Sequence, residues 1–192
     1  MVTSNSRELY EKLLRLRTHG ITRDTKVRPF PMSHPWYYDK LELGNHYRMT
    51  EIQAALGRSQ LKRIGQFLKK RRQIAKTYNS QLKKSPLILP ALTKGANSAW
   101  HLYVVTTPQN QTMKHRDTLI RKLHDFGIKA NLHYLPVQNF HYYKKRMSKR
   151  RKFSPCPIAQ DYSRRAISLP VHPGLSMKCQ NRVVDSLEEL LK

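Results

Sequence analysis

The sequence predicts an α+β domain in which a small sheet is covered by helices. Apolar residues recur at helical spacing in several separate segments, and short runs rich in β-branched and aromatic residues are typical of strands. The chain has 192 residues, which is enough for one domain with a substantial core.

The first predicted helix covers residues 6–19 and is followed by a long loop. Asn5 and Glu8 have the spacing of a capping box, and Gly20 follows the helix as a stop signal. Residues 21–44 show no periodicity but contain prolines and aromatic side chains. Because long loops inside compact domains are functional or disordered, and the aromatic content argues against disorder, we expect a packed loop.

Two further helices are predicted in the middle of the chain. Thr50 and Gln53 form a second capping box, which opens a helix over residues 50–61. The next helix is expected over residues 64–83, with its basic run at residues 69–72 mostly in water. The face that this helix is expected to bury consists of Phe67, Leu68, Ile74, Ala75, Tyr78 and Leu82.

The second half of the chain is predicted to contain three strands and three helices. We expect strands over residues 100–106, 128–134 and 167–170, and helices over residues 116–126 and 158–165. Gly127 ends the first of these helices, and Ser176 is the expected N-cap of a final one.

The charge of the chain leaves several partners open. Lys and Arg number 37 against 12 Asp and Glu, which gives a formal net charge of +25. The densest basic cluster lies at residues 144–152, but the excess is spread over the whole chain. A solvated basic surface, attraction to an anionic membrane surface and nucleic-acid binding all fit this charge. Because no RNA-binding strand motif, zinc-finger spacing or basic zipper accompanies it, nucleic acid is not the expected partner.

The sequence contains no self-sufficient active-site motif. No glycine-rich nucleotide loop, zinc-protease motif or paired-cysteine motif is present, and His133, Asn139 and His141 fit no metal-ligand spacing, so no metal is expected. No apolar stretch is long enough to span a membrane, and no signal peptide is visible. Cys156 and Cys179 cannot form the disulfide framework of a secreted domain, so a cytoplasmic protein is expected.

The segment LGNHYRMTEIQAALG at residues 43–57 closely resembles the hallmark segment of the DegT/DnrJ/StrS family of sugar aminotransferases, which depend on pyridoxal 5′-phosphate. Further matches in the family's order are ELYEKL at 8–13, THGI at 18–21, AWHLY at 99–103, HYLPV at 133–137, AISLP at 166–170 and PGL at 173–175. The resemblance therefore covers essentially the whole chain. HPWYY at 34–38 resembles the branch that aminates UDP-linked 4-keto-6-deoxy-hexosamines on the way to pseudaminic acid.

The resemblance implies part of a fold-type I aminotransferase. Residues 1–45 correspond to the tail of the large α/β cofactor-binding domain, and residues 46–192 to the α+β C-terminal small domain. In this family the lysine that holds the cofactor as a Schiff base lies upstream of the first helix, and residues 1–3 match the strand leading out of that lysine segment. Because transamination needs this lysine, the resemblance implies a C-terminal half that has no catalytic residue and no activity alone.

The resemblance also implies a cofactor contact. In the family, the loop before the Thr50-type cap provides an asparagine to the cofactor phosphate of the partner subunit. Aligned on the segment that follows, this position is His46 here, with Asn45 before it and Arg48 after it. Asn45, His46 and Arg48 are therefore the cofactor-binding candidates. For Arg48, a structural ion pair remains an alternative to a contact with phosphate or substrate.

The substrate-binding candidates implied by the resemblance are His133, Tyr134 and Gln138. The family has a Pro-x-His pattern near the sugar after the His-Tyr pair, whereas Pro136 is followed here by Val137 and Gln138. The departures at positions 46 and 138 are compatible with relaxed selection on a fragment or with tolerated variation in a working enzyme.

The leading interpretation is the C-terminal portion of a nucleotide-sugar aminotransferase from a split, truncated or decayed gene. Its expected partners are a second copy of itself or a complementing N-terminal fragment. If an absent part covers this chain, residues 1–3 and the first helix should expose apolar surface. The alternatives are a non-catalytic basic protein that binds nucleic acid or an acidic partner, and a gene remnant.

Overall fold

The computed structural model describes residues 2–27, 34, 36–147 and 156–191. The chain divides into two compact units, Met1–Lys62 and Arg63–Lys192. The basic cluster predicted at residues 144–152 lies outside the described residues from position 148 onward, as does the first residue of the segment 1–3. The division by contacts does not test the predicted domain boundary at residues 45 and 46, which stays a prediction.

The first unit contains two helices and a short hairpin. Its elements are α1 (Arg7–Leu16), β1 (Ile21–Thr22), β2 (Asp39–Lys40) and α2 (Glu51–Lys62). Strands β1 and β2 pair antiparallel, with Ile21 opposite Lys40. This hairpin falls within the segment predicted as a loop, because two-residue strands produce no readable alternation.

Both helices of the first unit begin with a side-chain cap. Ser6 caps α1, because its hydroxyl accepts a hydrogen bond from Leu9 N at 3.2 Å, so the cap predicted at Asn5 is wrong by one residue. The predicted capping box of α2 is confirmed: Thr50 N donates to Gln53 Oε1 at 3.0 Å, and Gln53 N donates to Thr50 Oγ1 at 3.3 Å.

The first unit has almost no core of its own. Among its described residues only Gly20 is buried. Trp36 and Tyr38 are 68% and 58% exposed, so the prediction of a packed loop is wrong for these aromatic side chains. Val2 and the α1 residues Leu9 and Tyr10 are exposed too, which confirms the apolar surface expected from residues 2–3 and the first helix.

The second unit is the α+β domain that the sequence predicts. Its elements are α3 (Ile64–Gln81), β3 (Tyr103–Thr106), α4 (Met113–Asp125), α5 (His141–Met147), α6 (Pro157–Arg165), β4 (Ala166–Leu169) and α7 (Met177–Leu190). Short 3-10 turns cover Leu82–Lys84 and Val137–Asn139. Strands β3 and β4 pair antiparallel, with Val104 opposite Ser168. Single bridges from Ile88 and Asn131 extend this pair on its two sides.

The core of the second unit lies between the β3–β4 pair and helices α3, α4 and α7. It is formed chiefly by Ile74, Tyr78, Leu82, Tyr103, Val105, Leu119, Leu123, Ile167, Leu169, Val183, Val184 and Leu187. The apolar face predicted for α3 is confirmed at four positions, whereas Phe67 and Leu68 are half-buried. Gly127, with a φ of 73°, follows the end of α4 as predicted. Ser176 caps the start of α7, also as predicted.

The strand predicted over residues 128–134 is wrong. Asn131 makes a single bridge to Ser168, and on either side of it the chain bonds locally. Leu132 N donates to Asn131 Oδ1 at 2.8 Å, and Ala130 N donates to Ile128 O at 2.9 Å. These local bonds use donors that a strand would give to its neighbour, so the ladder does not extend.

Several predicted bounds also shift. The strand predicted from residue 100 begins at Tyr103, because Trp100 has a left-handed φ of 48° that a strand cannot contain. Helix α4 begins at Met113 rather than residue 116, since Thr112 Oγ1 caps it by accepting from His115 N at 3.3 Å. Helix α5 lacks apolar periodicity and was not predicted.

The basic run of α3 is only partly in water. Lys69 and Lys70 are exposed as predicted, but Arg71 and Arg72 are half-buried. Arg71 Nη1 donates to the carbonyl oxygens of Trp100, His101 and Val171 at 3.1, 3.2 and 2.9 Å. Arg71 therefore ties α3 to the segments that precede β3 and follow β4.

Candidate functional site

The segment containing the cofactor candidates is held by its backbone. His19 N donates to Asn45 O at 3.1 Å, Asn45 N donates to Leu16 O at 3.0 Å, and Tyr47 N donates to Arg17 O at 3.0 Å. These bonds join residues 45–47 to the C-terminal end of α1. Because these hydrogen bonds use only backbone groups, the side chains of this segment remain available for a ligand.

The three cofactor candidates have exposed side chains. The ring of His46 lies edge-on to that of His19, with centroids 5.6 Å apart. Among the described residues, Arg48 belongs to none of the ion pairs, so the ion-pair alternative is not supported in this chain. Glu42 is bonded to Arg15, whose Nε lies 3.2 Å from Glu42 Oε1.

These side chains match the requirements of a phosphate group. A phosphate presents acceptor oxygens and negative charge, and the amide of Asn45, the ring N–H of His46 and the guanidinium of Arg48 are all donors. The donor set therefore fits the phosphate of pyridoxal 5′-phosphate.

The substrate candidates belong to the second unit. His133 Nδ1 lies 2.8 Å from Ser168 Oγ, and Asn131 exchanges two backbone hydrogen bonds with Ser168, at 3.1 and 2.7 Å. Strand β4 therefore fixes both the backbone and the imidazole of this segment. Tyr134, which follows His133 through a cis peptide bond, is 72% exposed.

Gln138 is the third substrate candidate and lies in the 3-10 turn Val137–Asn139. The residue is half-buried, and its Nε2 is buried without a hydrogen-bond partner among the described residues. A buried donor without an acceptor costs about 1–3 kcal/mol, so a ligand oxygen at this point would be favoured.

The structure groups the six candidates into two sets. Asn45, His46 and Arg48 share one segment of the first unit, whereas the other three lie within six residues of one another in the second unit.

Sequence reasoning missed Ser168 as a site residue. The signal was present, since Ser168 is the one polar residue of a strand whose four residues are all buried. A buried hydroxyl needs a partner, and His133 provides it.

Two absences hold for the described part of the chain. No group of three or more His, Cys, Asp or Glu residues between positions 2–27, 34, 36–147 and 156–191 is arranged to hold a metal ion. Over the same residues, no helix combines the length and apolarity needed to cross a membrane.

Comparison with known proteins identifies the class of this fold and site. The profile of the DegT/DnrJ/EryC1/StrS aminotransferase family matches residues 1–188, so the chain belongs to this family. The family depends on pyridoxal phosphate.

One curated relative and two solved structures specify which members of the family this chain is similar to. The UDP-4-amino-4,6-dideoxy-N-acetyl-beta-L-altrosamine transaminase of Campylobacter jejuni is 30% identical over 193 residues, which cover 100% of this chain and 47% of that protein. A solved structure of the Helicobacter pylori aminotransferase PseC matches with a TM-score of 0.84 and 28% sequence identity. The match covers 98% of this chain and 47% of PseC, which is described as involved in the biosynthesis of pseudoaminic acid. The PLP-form of a Streptococcus pneumoniae sugar aminotransferase has a TM-score of 0.80 and 26% identity, covering 98% of this chain and 46% of that one.

The chain therefore spans about half the length of the curated relatives it matches. Over that half, its structure matches sugar aminotransferases of fold type I.

Proposed function

We propose that this chain forms the C-terminal portion of a pyridoxal-phosphate-dependent aminotransferase that acts on a UDP-linked 4-keto-6-deoxy-hexosamine. The observation that supports it most is the backbone-held segment with the exposed donors Asn45, His46 and Arg48, in a chain whose residues 1–188 match this family. The likeness to UDP-sugar transaminases supports the substrate class.

The residues of the first unit would hold the phosphate end of the cofactor. Asn45 and Arg48 donate N–H groups to its oxygens, and His46 replaces the family's asparagine as a third donor. Pyridoxal phosphate, when bound, supplies the electron sink for amino transfer. In the family this loop serves the partner subunit, so the proposal includes a dimer in which the segment reaches across the interface.

The residues of the second unit would hold the sugar. With Nδ1 of His133 bonded to Ser168, its Nε2 is the ring nitrogen available to a sugar hydroxyl. Tyr134 offers a phenol and Gln138 an unpaired amide N–H, so this loop orients the substrate through hydrogen bonds.

The proposal requires a lysine from outside these 192 residues. None of the lysines here lies in a motif that resembles the Schiff-base segment. We therefore propose that the 192-residue chain alone does not aminate a keto-sugar, and that a polypeptide corresponding to the N-terminal half of the family restores the reaction.

Co-expression of this chain with the N-terminal half of the Campylobacter jejuni transaminase tests the proposal. We expect a complex with the absorbance of lysine-bound cofactor and with glutamate-dependent amination of the UDP-4-keto sugar. The matched control replaces the Schiff-base lysine of the added half by alanine, which should leave the complex intact and abolish turnover. Failure to form a complex, or a complex without cofactor absorbance, would count against the proposal.

Variants of this chain test the cofactor contacts within that complex. Replacing both Asn45 and Arg48 by alanine should weaken cofactor retention at least about tenfold, since two phosphate contacts are lost. Arg58→Ala removes an equally exposed charge from α2 and should retain the cofactor like the unmodified chain.

A further inference from the structure

A groove along α3 gathers positive charge without any acid. Its volume is about 690 Å³, and its lining includes Lys69, Arg72, Lys76, Thr77, Ser80 and, from α7, Met177. None of its described lining residues is acidic or aromatic. We call this surface the α3 groove; it uses none of the candidate site residues.

The charge of the α3 groove is not neutralised locally. The stretch from residue 52 to residue 116 contains thirteen Lys and Arg and no Asp or Glu. The ion pairs found among the described residues involve none of Lys69, Arg72 and Lys76. Because none of the three belongs to an ion pair there, these cations are available to an external anion.

Helix geometry aligns these cations in a row. Lys69, Arg72 and Lys76 are spaced at i, i+3 and i+7, so they lie on one face of α3, while Ile74 and Tyr78 on another face are buried in the core. The row extends about 10 Å along the helix axis. Cations distributed over such a length suit a linear anion better than a single small ion.

Two side-chain bonds fix the frame of the groove. Arg72 Nε donates to Ser98 O at 3.2 Å, so its guanidinium is held while its two terminal nitrogens keep further donors. Gln81 Nε2 donates to Asn181 Oδ1 at 3.2 Å and links the end of α3 to α7. Ser80 adds a hydroxyl donor along the same wall, whereas the hydroxyl of Thr77 donates to Gln73 O at 3.1 Å.

We propose that the α3 groove binds a chain of phosphate groups, contacted through its oxygens alone. Phosphate chains provide closely spaced negative charge and many acceptors, which match a wall of Lys, Arg and Ser donors. Because no aromatic side chain lines the groove, bases have no stacking platform there. The ligand that fits this groove is therefore an inorganic polyphosphate, which is recognised by its phosphates alone.

The test measures binding of inorganic tripolyphosphate to the full chain by calorimetry, with orthophosphate and polyglutamate for comparison. We expect tripolyphosphate to bind more tightly than either and to weaken with salt. Replacing both Lys69 and Lys76 by glutamine should weaken binding at least about tenfold and make the remaining binding less sensitive to salt. An oligothymidylate or a short DNA duplex that bound more tightly than tripolyphosphate through the same two lysines would overturn the assignment to inorganic polyphosphate.

A matched control separates the groove from general charge. Replacing Lys114 and Lys122 of α4 by glutamine removes the same two charges from another exposed face and should leave binding nearly unchanged. Equal weakening by both pairs, equal affinity for polyglutamate, or no tripolyphosphate binding at low salt would overturn the proposal. Circular dichroism of each variant confirms that it is folded.

Discussion

The backbones of Gly20 and Gly44 lie against each other: a Cβ atom added to Gly44 would lie 2.3 Å from the amide nitrogen of Gly20. Gly20 itself has a φ of 72°, and a Cβ there would lie 1.8 Å from the carbonyl oxygen of Glu42. The close approach allows the segment after Gly44 to bond to the end of α1. Gly20 was predicted as the stop of the first helix, but α1 ends at Leu16 with Arg17 as its C-cap, so Gly20 lies beyond the cap and is constrained by this contact.

Gly44→Ala should therefore loosen the segment that presents Asn45, His46 and Arg48. A methyl group cannot enter without moving backbone, so we expect local destabilisation of more than about 1 kcal/mol. Hydrogen exchange of the Asn45 and Tyr47 amides, which bond to Leu16 O and Arg17 O, should accelerate.

Gly57→Ala is the control for this variant. Gly57 lies in α2, where an added Cβ meets nothing within 4 Å, so alanine should stabilise the helix by about 0.5–1 kcal/mol. If Gly44→Ala left both amides as protected as Gly57→Ala does, the proposed role of the glycine contact would be wrong.

Arg71→Ala should destabilise the second unit by about 2–3 kcal/mol, because three carbonyl oxygens lose a charged donor. Arg71→Lys should recover part of this loss, since a lysine keeps the charge but not the planar guanidinium. The urea midpoint of unfolding measures the effect. Lys70→Ala, at the exposed neighbouring position, should shift the midpoint little, and an equal shift in both variants would refute the assignment.

The parts of the fold that could be predicted are those set by neighbouring residues. Thr50 with Gln53 and the Ser176 cap act within one helical turn, so their side-chain types identify them directly. The failed strand at residues 128–134 has the composition of a strand, but Asn131 bonds to the next backbone N–H instead. Residue composition does not show that the Asn131 side chain competes with the neighbouring strand for this backbone N–H.

The candidate site was predictable only through resemblance to a family. The contact between His133 and Ser168 joins residues 35 positions apart in sequence, and one hydrogen bond of Arg71 reaches Val171, 100 positions away. A local sequence pattern cannot predict contacts between residues so far apart. The exposure of the apolar face of α2 could not be predicted either. Ile52 and Leu56 have the apolar spacing of a buried helix face, yet they are 83% and 61% exposed.

Ser168→Ala should release the imidazole of His133. The hydroxyl is buried and lies 2.8 Å from Nδ1, so its loss should cost about 1 kcal/mol and change the tautomer balance of the ring. Nitrogen-15 NMR of His133 reports that balance. Ser163→Ala removes another buried hydroxyl, bonded to Gln160 O, and should affect stability without changing the His133 spectrum. An unchanged spectrum in Ser168→Ala would contradict the contact.

Tyr78 and Tyr103 make the second unit sensitive to alkali. Both are fully buried; the hydroxyl of Tyr78 donates to Pro170 O at 2.9 Å, and that of Tyr103 donates to Asn79 Oδ1 at 2.6 Å. Burial raises the pKa of both phenols well above the usual value of 10.0. The folded state therefore holds these protons when the unfolded chain releases them.

The contribution of these two phenols to the free energy of unfolding should be constant below about pH 10. As the pH rises from there toward the folded pKa values, the free energy of unfolding should fall by about 1.4 kcal/mol per pH unit for each tyrosine. Urea unfolding at a series of alkaline pH values, with phenolate absorbance as a second probe, measures this slope. Tyr103→Phe should be less stable at neutral pH, because it lacks the bond to Asn79, but should show a shallower alkaline slope. Tyr143→Phe, at an exposed position of α5, should keep the slope of the unmodified chain, and identical slopes in all three proteins would rule out the buried phenols as its cause.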